Sequence, residues 1–351
     1  MSRQPVEVSK PSTGCFFFYY ILHTRQKPWH LERMNHNMRF KSVYHVTSPV
    51  KVMNNGSFSY SERTTPFWML TPVLAGLAIL VYFPLCSTIV LSFLRYFWNK
   101  PQQPIRWVGL KNYIDIFSDS LFWQAFNNTV IFMVVSTSLT ILIGLGIAIL
   151  ISRDFPGKSI FISLILLPMM ISPVAAALSW KFLFDGEWGA VNYFVGWFGI
   201  SKQAWLADPR LALPAIIVTD IWLNAPFVFL VMYTSLQALP QEPIEAARID
   251  GGSGWQIFSR VILPLLAPNF LLILVIRLMD TFRVFDFIYV MTSGGPGGRT
   301  ETIGFLSYER TFRHFNMGQG SVIAIFLLLT VLFLSWYFIN TLRLQLQEQA
   351  K

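Results

Sequence analysis

Residues 239–268 read LPQEPIEAARIDGGSGWQIFSRVILPLLAP, a polar, turn-rich stretch between two strongly apolar segments. Pro240 and Pro243 suit the first turn of a helix, where a missing N–H costs little. Gln241 to Asp250 supplies mixed helix formers, and Gly251-Gly252 offers a left-handed stop. Ser253 with Gln256 three residues on reads as a capping box for a second helix, which continues through Phe258 and Val261 to Pro264. The pattern predicts a short helix, a glycine break and a new helix. That is the shape of a loop built to dock onto another surface.

The segments on either side decide the setting. The chain has 351 residues, 54% of them hydrophobic and only 13% charged, with a mean hydropathy of +0.49. Soluble domains carry about 25% charged residues, so this composition marks an integral membrane protein. The net charge of +9 fits basic residues that flank membrane spans and face anionic headgroups, and it does not call for nucleic acid. Two cysteines, Cys15 and Cys86, form no framework and no C-x-x-C motif, so neither disulfide chemistry nor metal binding is indicated.

Six weakly charged stretches are each long enough to cross the hydrocarbon core as a helix. They cover residues 68–93, 127–151, 159–182, 211–236, 261–291 and 318–342. The fold class expected is therefore an all-α membrane protein with six transmembrane helices spread over residues 66–345. The docking loop at 237–258 falls between the fourth and fifth. Proline recurs in or beside these spans, where it kinks a helix and leaves a carbonyl for neighbours to satisfy. Ser136, Thr137, Ser138 and Thr140 give the second span a small, polar face. Close helix packing explains such a face more economically than solute contact.

Residues 1–65 hold nine of the 27 Lys and Arg and read as a basic, largely disordered cytoplasmic extension. Their apolar run, Cys15 to Leu22, is too short to span a bilayer, and no small-residue cleavage site follows it. Met34, Met38 or Met53 is an alternative start. With the N-terminus inside, the cytoplasmic pieces carry 15 Lys and Arg and the outer loops carry nine. That bias rests on the extension, so charge counting alone does not set the topology.

Catalytic equipment is missing. Gly157-Lys158-Ser159 imitates the end of a phosphate-binding loop, but Ser152 stands where its first glycine belongs. The run Ser293 to Gly298 is glycine-rich, yet Pro296 and its context argue for an outer loop. The ionisable residues inside spans carry more information, because charge in hydrocarbon is costly and tends to face a cavity or a partner. Arg277, Asp280, Arg283 and Asp286 alternate in sign every three residues of the fifth span. That spacing suits an ion-pair ladder along one helix face, or a cavity lining. Asp220 and Asn224 mark the fourth span. Sugar and polyol sites match hydroxyl groups with hydrogen-bonding side chains, which makes Asp220, Asn224, Asp280, Arg283, Asp286 and Tyr289 the cavity candidates. A secondary transporter moving a proton through Asp220 or Asp280 is the alternative, and its mark would be an inverted repeat with matched broken helices.

Two resemblances add to this reading. Glu245-Ala246-Ala247, Asp250-Gly251 and Val261-Ile262-Leu263-Pro264 resemble the EAA signature of ABC-importer permease subunits, with Val261 where that family usually has isoleucine. Asp280 to Thr292, followed by Gly294-Gly295-Pro296-Gly297 and Thr300-Glu301-Thr302, resembles the fifth helix and outer loop of carbohydrate-uptake permeases of the maltose and glycerol-3-phosphate type. Within that group the pattern is similar to the first of the two permease subunits. The resemblance implies an N-in, C-in six-helix permease of the bacterial cytoplasmic membrane, with the short helix acting as a cytoplasmic coupling helix. Glu245 would meet the ATPase, Ala246 and Ala247 would allow close approach, and Asp250-Gly251 would form the exit turn. It also implies a second homologous permease, two ATP-binding subunits that hold all of the ATP, and an extracytoplasmic solute-binding protein. The permease itself then needs no cofactor and catalyses no reaction.

Overall fold

The computed structural model describes residues 65–100 and 102–349. The expected basic extension and the alternative starts therefore fall outside the described residues, Thr65 excepted. The first membrane helix, α1, runs Thr65–Leu77, passes through a π turn at Ala78–Tyr82 and continues as Phe83–Ser92. A two-residue hairpin follows, β1 (Leu94–Arg95) against β2 (Arg106–Trp107), then α2 (Lys111–Phe117) and the long α3 (Ser120–Ile151). Helices α4 (Lys158–Leu166) and α5 (Pro173–Leu183) precede a short outer helix α6 (Ala190–Gly196) and the central α7 (Ala212–Gln237). The docking loop contains α8 (Gln241–Ile249). Helix α9 runs from Gly254 to Phe282 through a π turn at Phe258–Ile262, and α10 (Asp286–Met291), α11 (Ile303–Tyr308) and α12 (Met317–Gln349) complete the chain.

Five helices among the described residues are long and apolar enough to span a membrane, and α4 and α5, which meet at a 99° bend, make a sixth when the bent pair is counted as one span. The stretch expected as one helical span over 159–182 is two helices. Pro168 and Pro173 bracket the break, and Ser172, the residue before Pro173, is extended at φ −66°, ψ 147°. A residue preceding proline is pushed out of the helical region by the ring. The Ser172 hydroxyl then caps α5 by accepting from the Ala175 N–H at 3.3 Å. Proline also explains two π turns. Each lies just ahead of a proline, Pro84 or Pro264, whose missing N–H breaks the regular ladder.

The fifth span is also interrupted. The expected continuous helix over 261–291 stops at Phe282, and Arg283 to Phe285 form a break before α10 begins at Asp286. The second span starts earlier than expected, because Asp119 caps α3 by accepting from the Leu121 N–H at 2.9 Å.

Helix α3 packs directly on α7. Gly144 permits the approach: a Cβ there would lie 2.6 Å from Val228 Cγ1 and 3.0 Å from the Phe229 nitrogen. Small residues take this role in membranes because lipid supplies no hydrophobic drive between helices. Ala148, Phe229, Met232 and Ile273 complete one buried cluster, and Phe132, Ala176, Ile216 and Ile288 anchor a second. By contrast, the most apolar window of α1 is unburied, with Leu80 and Phe83 among its exposed side chains.

The connections sort to two ends. Phe97 bridges to Asn316, Arg310 pairs with Asp119, and the Asn128 amide donates to the carbonyls of Gly298 and Glu301 at 3.0 and 2.9 Å. The Lys181 ammonium donates to the Val290 carbonyl at 2.9 Å. These contacts gather the connections following the first, third and fifth spans at one end. At the other end lies the docking loop, and there the Lys158 ammonium sits 5.5 Å from the Tyr233 ring centroid.

Candidate functional site

Two sites emerge, one at each functional level of the molecule. In the docking loop, Pro240 is extended ahead of α8, Glu242 lies in the first turn and Arg248 in the last. Both charges complement the helix dipole. Ile244 is buried beneath the helix, while Glu245, Ala246 and Arg248 are exposed and Ala247 is half-buried. Asp250 closes the helix, and Gly251 takes φ +81°. The Gly252 N–H donates back to the Ala247 carbonyl at 3.0 Å and the Gly251 N–H to that of Arg248 at 3.1 Å. This is the Schellman arrangement, whose left-handed residue is nearly always glycine. Across the turn, the Ser253 N–H donates to Gln256 Oε1 at 2.8 Å and the Gln256 N–H donates to Ser253 Oγ at 3.4 Å. The loop is therefore held by two hydrogen-bonded elements, a Schellman stop and a capping box. Ile249 and Trp255 project from it, 86% and 74% exposed.

The second site lies where α3, α7 and α9 meet. Arg277 is 1% exposed and Asp220 is 4% exposed. The Arg277 guanidinium pairs with Asp220 Oδ2, and the Ser136 hydroxyl donates to that same oxygen. The Asn224 amide donates to Asp220 Oδ1 at 3.0 Å. Beside them, the Thr137 and Thr281 hydroxyls meet at 3.2 Å. Taking two charges out of water is costly, and attraction repays it only when the remaining lone pairs are satisfied. Asp220 meets that condition with three donors.

A complete ladder along the fifth span, one of the two readings of its charges, is not formed. Arg277 pairs across helices with Asp220, because both are buried and each needs a counter-charge. Only Arg283 and Asp280 pair as neighbours, at 2.8 Å. Asp286 lies beyond the helix break, and its carboxylate makes no hydrogen bond or ion pair among the described residues.

A cavity of about 330 Å³ opens beside this network, with Asn224, Asp280, Arg283 and Asp286 in its wall and the Asp220–Arg277 pair at its back. Its size falls in the range of small-molecule sites, about 300–1,000 Å³. Tyr289 is not in the wall; it stacks on Phe285 with centroids 5.3 Å apart and meets the edge of Tyr308. Arg277 and Ser136, outside the set of sequence candidates, are members of the network. The signal for both lay in Asp220, a single acid in an apolar span that had to find donors elsewhere.

Comparison with known proteins agrees with this architecture. Residues 140–343 match the family described as the inner membrane component of binding-protein-dependent transport systems. The chain is 34% identical over 276 residues to the trehalose/maltose transport system permease protein MalF of Thermococcus litoralis, covering 78% of this chain and 92% of that protein. It is also 34% identical to the osmoprotective compounds uptake permease GgtC of Synechocystis, covering 75% and 93%. The fold is similar to that of a bacterial ABC transporter involved in the import of alginate, an acidic polysaccharide, with a TM-score of 0.69 at 23% identity over 80% of this chain and 96% of that one. A membrane fold of five to six candidate spans, a glycine-stopped surface helix at one end and a polar cavity among the central helices thus belong to a transport subunit. The chain is a member of the family of inner-membrane components of binding-protein-dependent transport systems, the permease subunits of ABC importers.

Proposed function

We propose that this permease carries a sugar, polyol or similar hydroxyl-rich solute. A solute-binding protein delivers it, and ATPase subunits drive the step through α8. The observation that carries the reading is the cavity wall, where Asn224, Asp280, Arg283 and Asp286 offer the acceptors and donors that hydroxyl groups need. The trehalose, maltose and osmoprotectant permeases among its relatives support the same class.

A second, homologous permease covers the open side of the cavity, and its apolar faces together with lipid cover exposed helices such as α1. Two ATPase subunits seat on the docking faces, one per permease, which sets this chain N-in and C-in. Closure of the ATPase pair pushes on Glu245 to Gly251 and turns the spans from inward-facing to outward-facing. Asp250 and Gly251 transmit the push, because the stop they form joins α8 firmly to α9.

Proteoliposomes containing the whole importer test this reading. ATP-dependent uptake of radiolabelled sugars and polyols is expected, with trehalose and maltose as the first probes. Uptake that survives ATP depletion and collapses with the proton gradient would overturn it. Glu245→Lys and Gly251→Pro are expected to leave ATP hydrolysis running while uptake falls.

A further inference from the structure

The charges around the cavity do not balance, and the imbalance has a direction. Arg277 is buried and its charge is met by Asp220, although its Nε–H finds no acceptor among the described residues. Arg283 keeps free N–H groups in its fork, but its charge is matched by Asp280 at 2.8 Å. Asp286 is half-buried in the wall and has no counter-charge among the described residues. Hydrogen-bonding capacity leans the same way. Asn224 commits its amide N–H groups to Asp220, at 3.0 Å to both the backbone carbonyl and Oδ1, which leaves its own carbonyl oxygen for a ligand.

Building on the hydroxyl-rich solute argued above, we propose that the cavity admits uncharged polyhydroxylated solutes and turns away phosphorylated or carboxylated ones, with Asp286 as the residue that sets this choice. Hydroxyl groups can donate to the Asp286 carboxylate, to the second oxygen of Asp280 and to the Asn224 carbonyl. Phosphate and carboxylate oxygens are acceptors only, so they would face these same acceptors across a site whose unmatched charge is negative.

The test reads the sign of the cavity without needing the solute. The complete importer is prepared with Cys15→Ser and Cys86→Ser, and a reporter thiol is placed in the wall by Asn224→Cys or, separately, Val284→Cys. Each reporter is modified with a cationic trimethylammonium-ethyl and an anionic sulfonato-ethyl methanethiosulfonate, and their rate ratio is referenced to 2-mercaptoethanol. Both reporters are expected to favour the cationic reagent. Adding Asp286→Asn should lower the ratio by roughly tenfold, as expected for one charge acting on probes of opposite sign across a partly solvated cavity. A ratio that favours the anionic reagent, or one that Asp286→Asn leaves unchanged, overturns the assignment to Asp286 while the cavity itself stands. No reaction of either reagent at either position overturns the cavity, and with it the hydroxyl-solute reading on which this inference rests.

Discussion

Arg277→Met strands the Asp220 carboxylate between α3 and α7, with Ser136 and Asn224 as its remaining donors. Both partners of the ion pair are almost fully buried, with side-chain exposures of 2% and 5%, so solvent can do little to compensate. Breaking a buried pair by removing one partner costs about 3–5 kcal/mol, since the other charge stays behind unpaired. For a large domain each kcal/mol shifts the melting temperature by roughly 2–4 °C, so the variant should melt on the order of 6–20 °C lower. Thermal unfolding of the purified permease in detergent, followed by loss of the monodisperse size-exclusion peak, reads this shift. The double variant Asp220→Leu with Arg277→Met leaves no charge behind and should recover most of the loss. If Arg277→Met melts within about 2 °C of the parent, or if the double variant is as unstable as the two single losses added together, the buried pair is not what joins these helices.

Other consequences follow from particular contacts. At Gly251, φ +81° with open space around the missing Cβ means that Gly251→Ala costs only backbone strain, about 1–2 kcal/mol, whereas proline cannot adopt that angle. Alanine should therefore keep part of the uptake and proline none, measured beside ATPase activity in the same vesicles. Gly144→Ile forces a side chain into Val228, so it should lower thermal stability by about 1–3 kcal/mol or more, the usual range for overpacking, and an unchanged melting temperature would contradict the packing of α3 on α7. Glu301, in the outer loop, has its carboxyl pushed up to about 7 by burial and by the neighbouring Glu309 carboxyl. A carboxyl whose folded pKa is raised above 4.5 favours the protonated fold, so stability should be full below pH 4.5 and fall as the pH rises toward 7. The Glu301→Gln variant should flatten that part of the pH profile of the melting temperature.

The docking loop was legible almost residue by residue. Its structure is local: the Schellman stop at Gly251 and the capping box of Ser253 with Gln256 are built from groups within six positions of one another. Local hydrogen bonds leave local patterns, so proline, glycine and the Ser-x-x-Gln spacing announce them in advance. The positions of the spans were legible for a similar reason, since a bilayer demands a run of apolar residues whatever the helix packs against. The bends were less so. Pro168 and Pro173 signalled trouble in the third span, but the 99° turn depends on which backbone angles the surrounding helices accept.

The cavity stood at the other extreme. Spacing along the fifth span suited a ladder of neighbours as well as a cavity lining, and one rung of the ladder exists, between Asp280 and Arg283. Arg277 instead crosses to Asp220, 57 positions away, and Ser136 joins from 84 positions in the other direction. Periodicity along one helix carries no information about which face of another helix it meets. That choice belongs to close packing, set by Gly144 against Val228 and by the helix break before Asp286. The amino-acid sequence by itself determined that the chain spans a membrane and presents a short helix with a glycine stop between two spans, because both follow from local chemistry and from the thickness of the bilayer. Only the tertiary structure decided which charges in the spans pair and that the half-buried Asp286 is left in the cavity wall, because pairing depends on distances between helices that sequence separation does not encode.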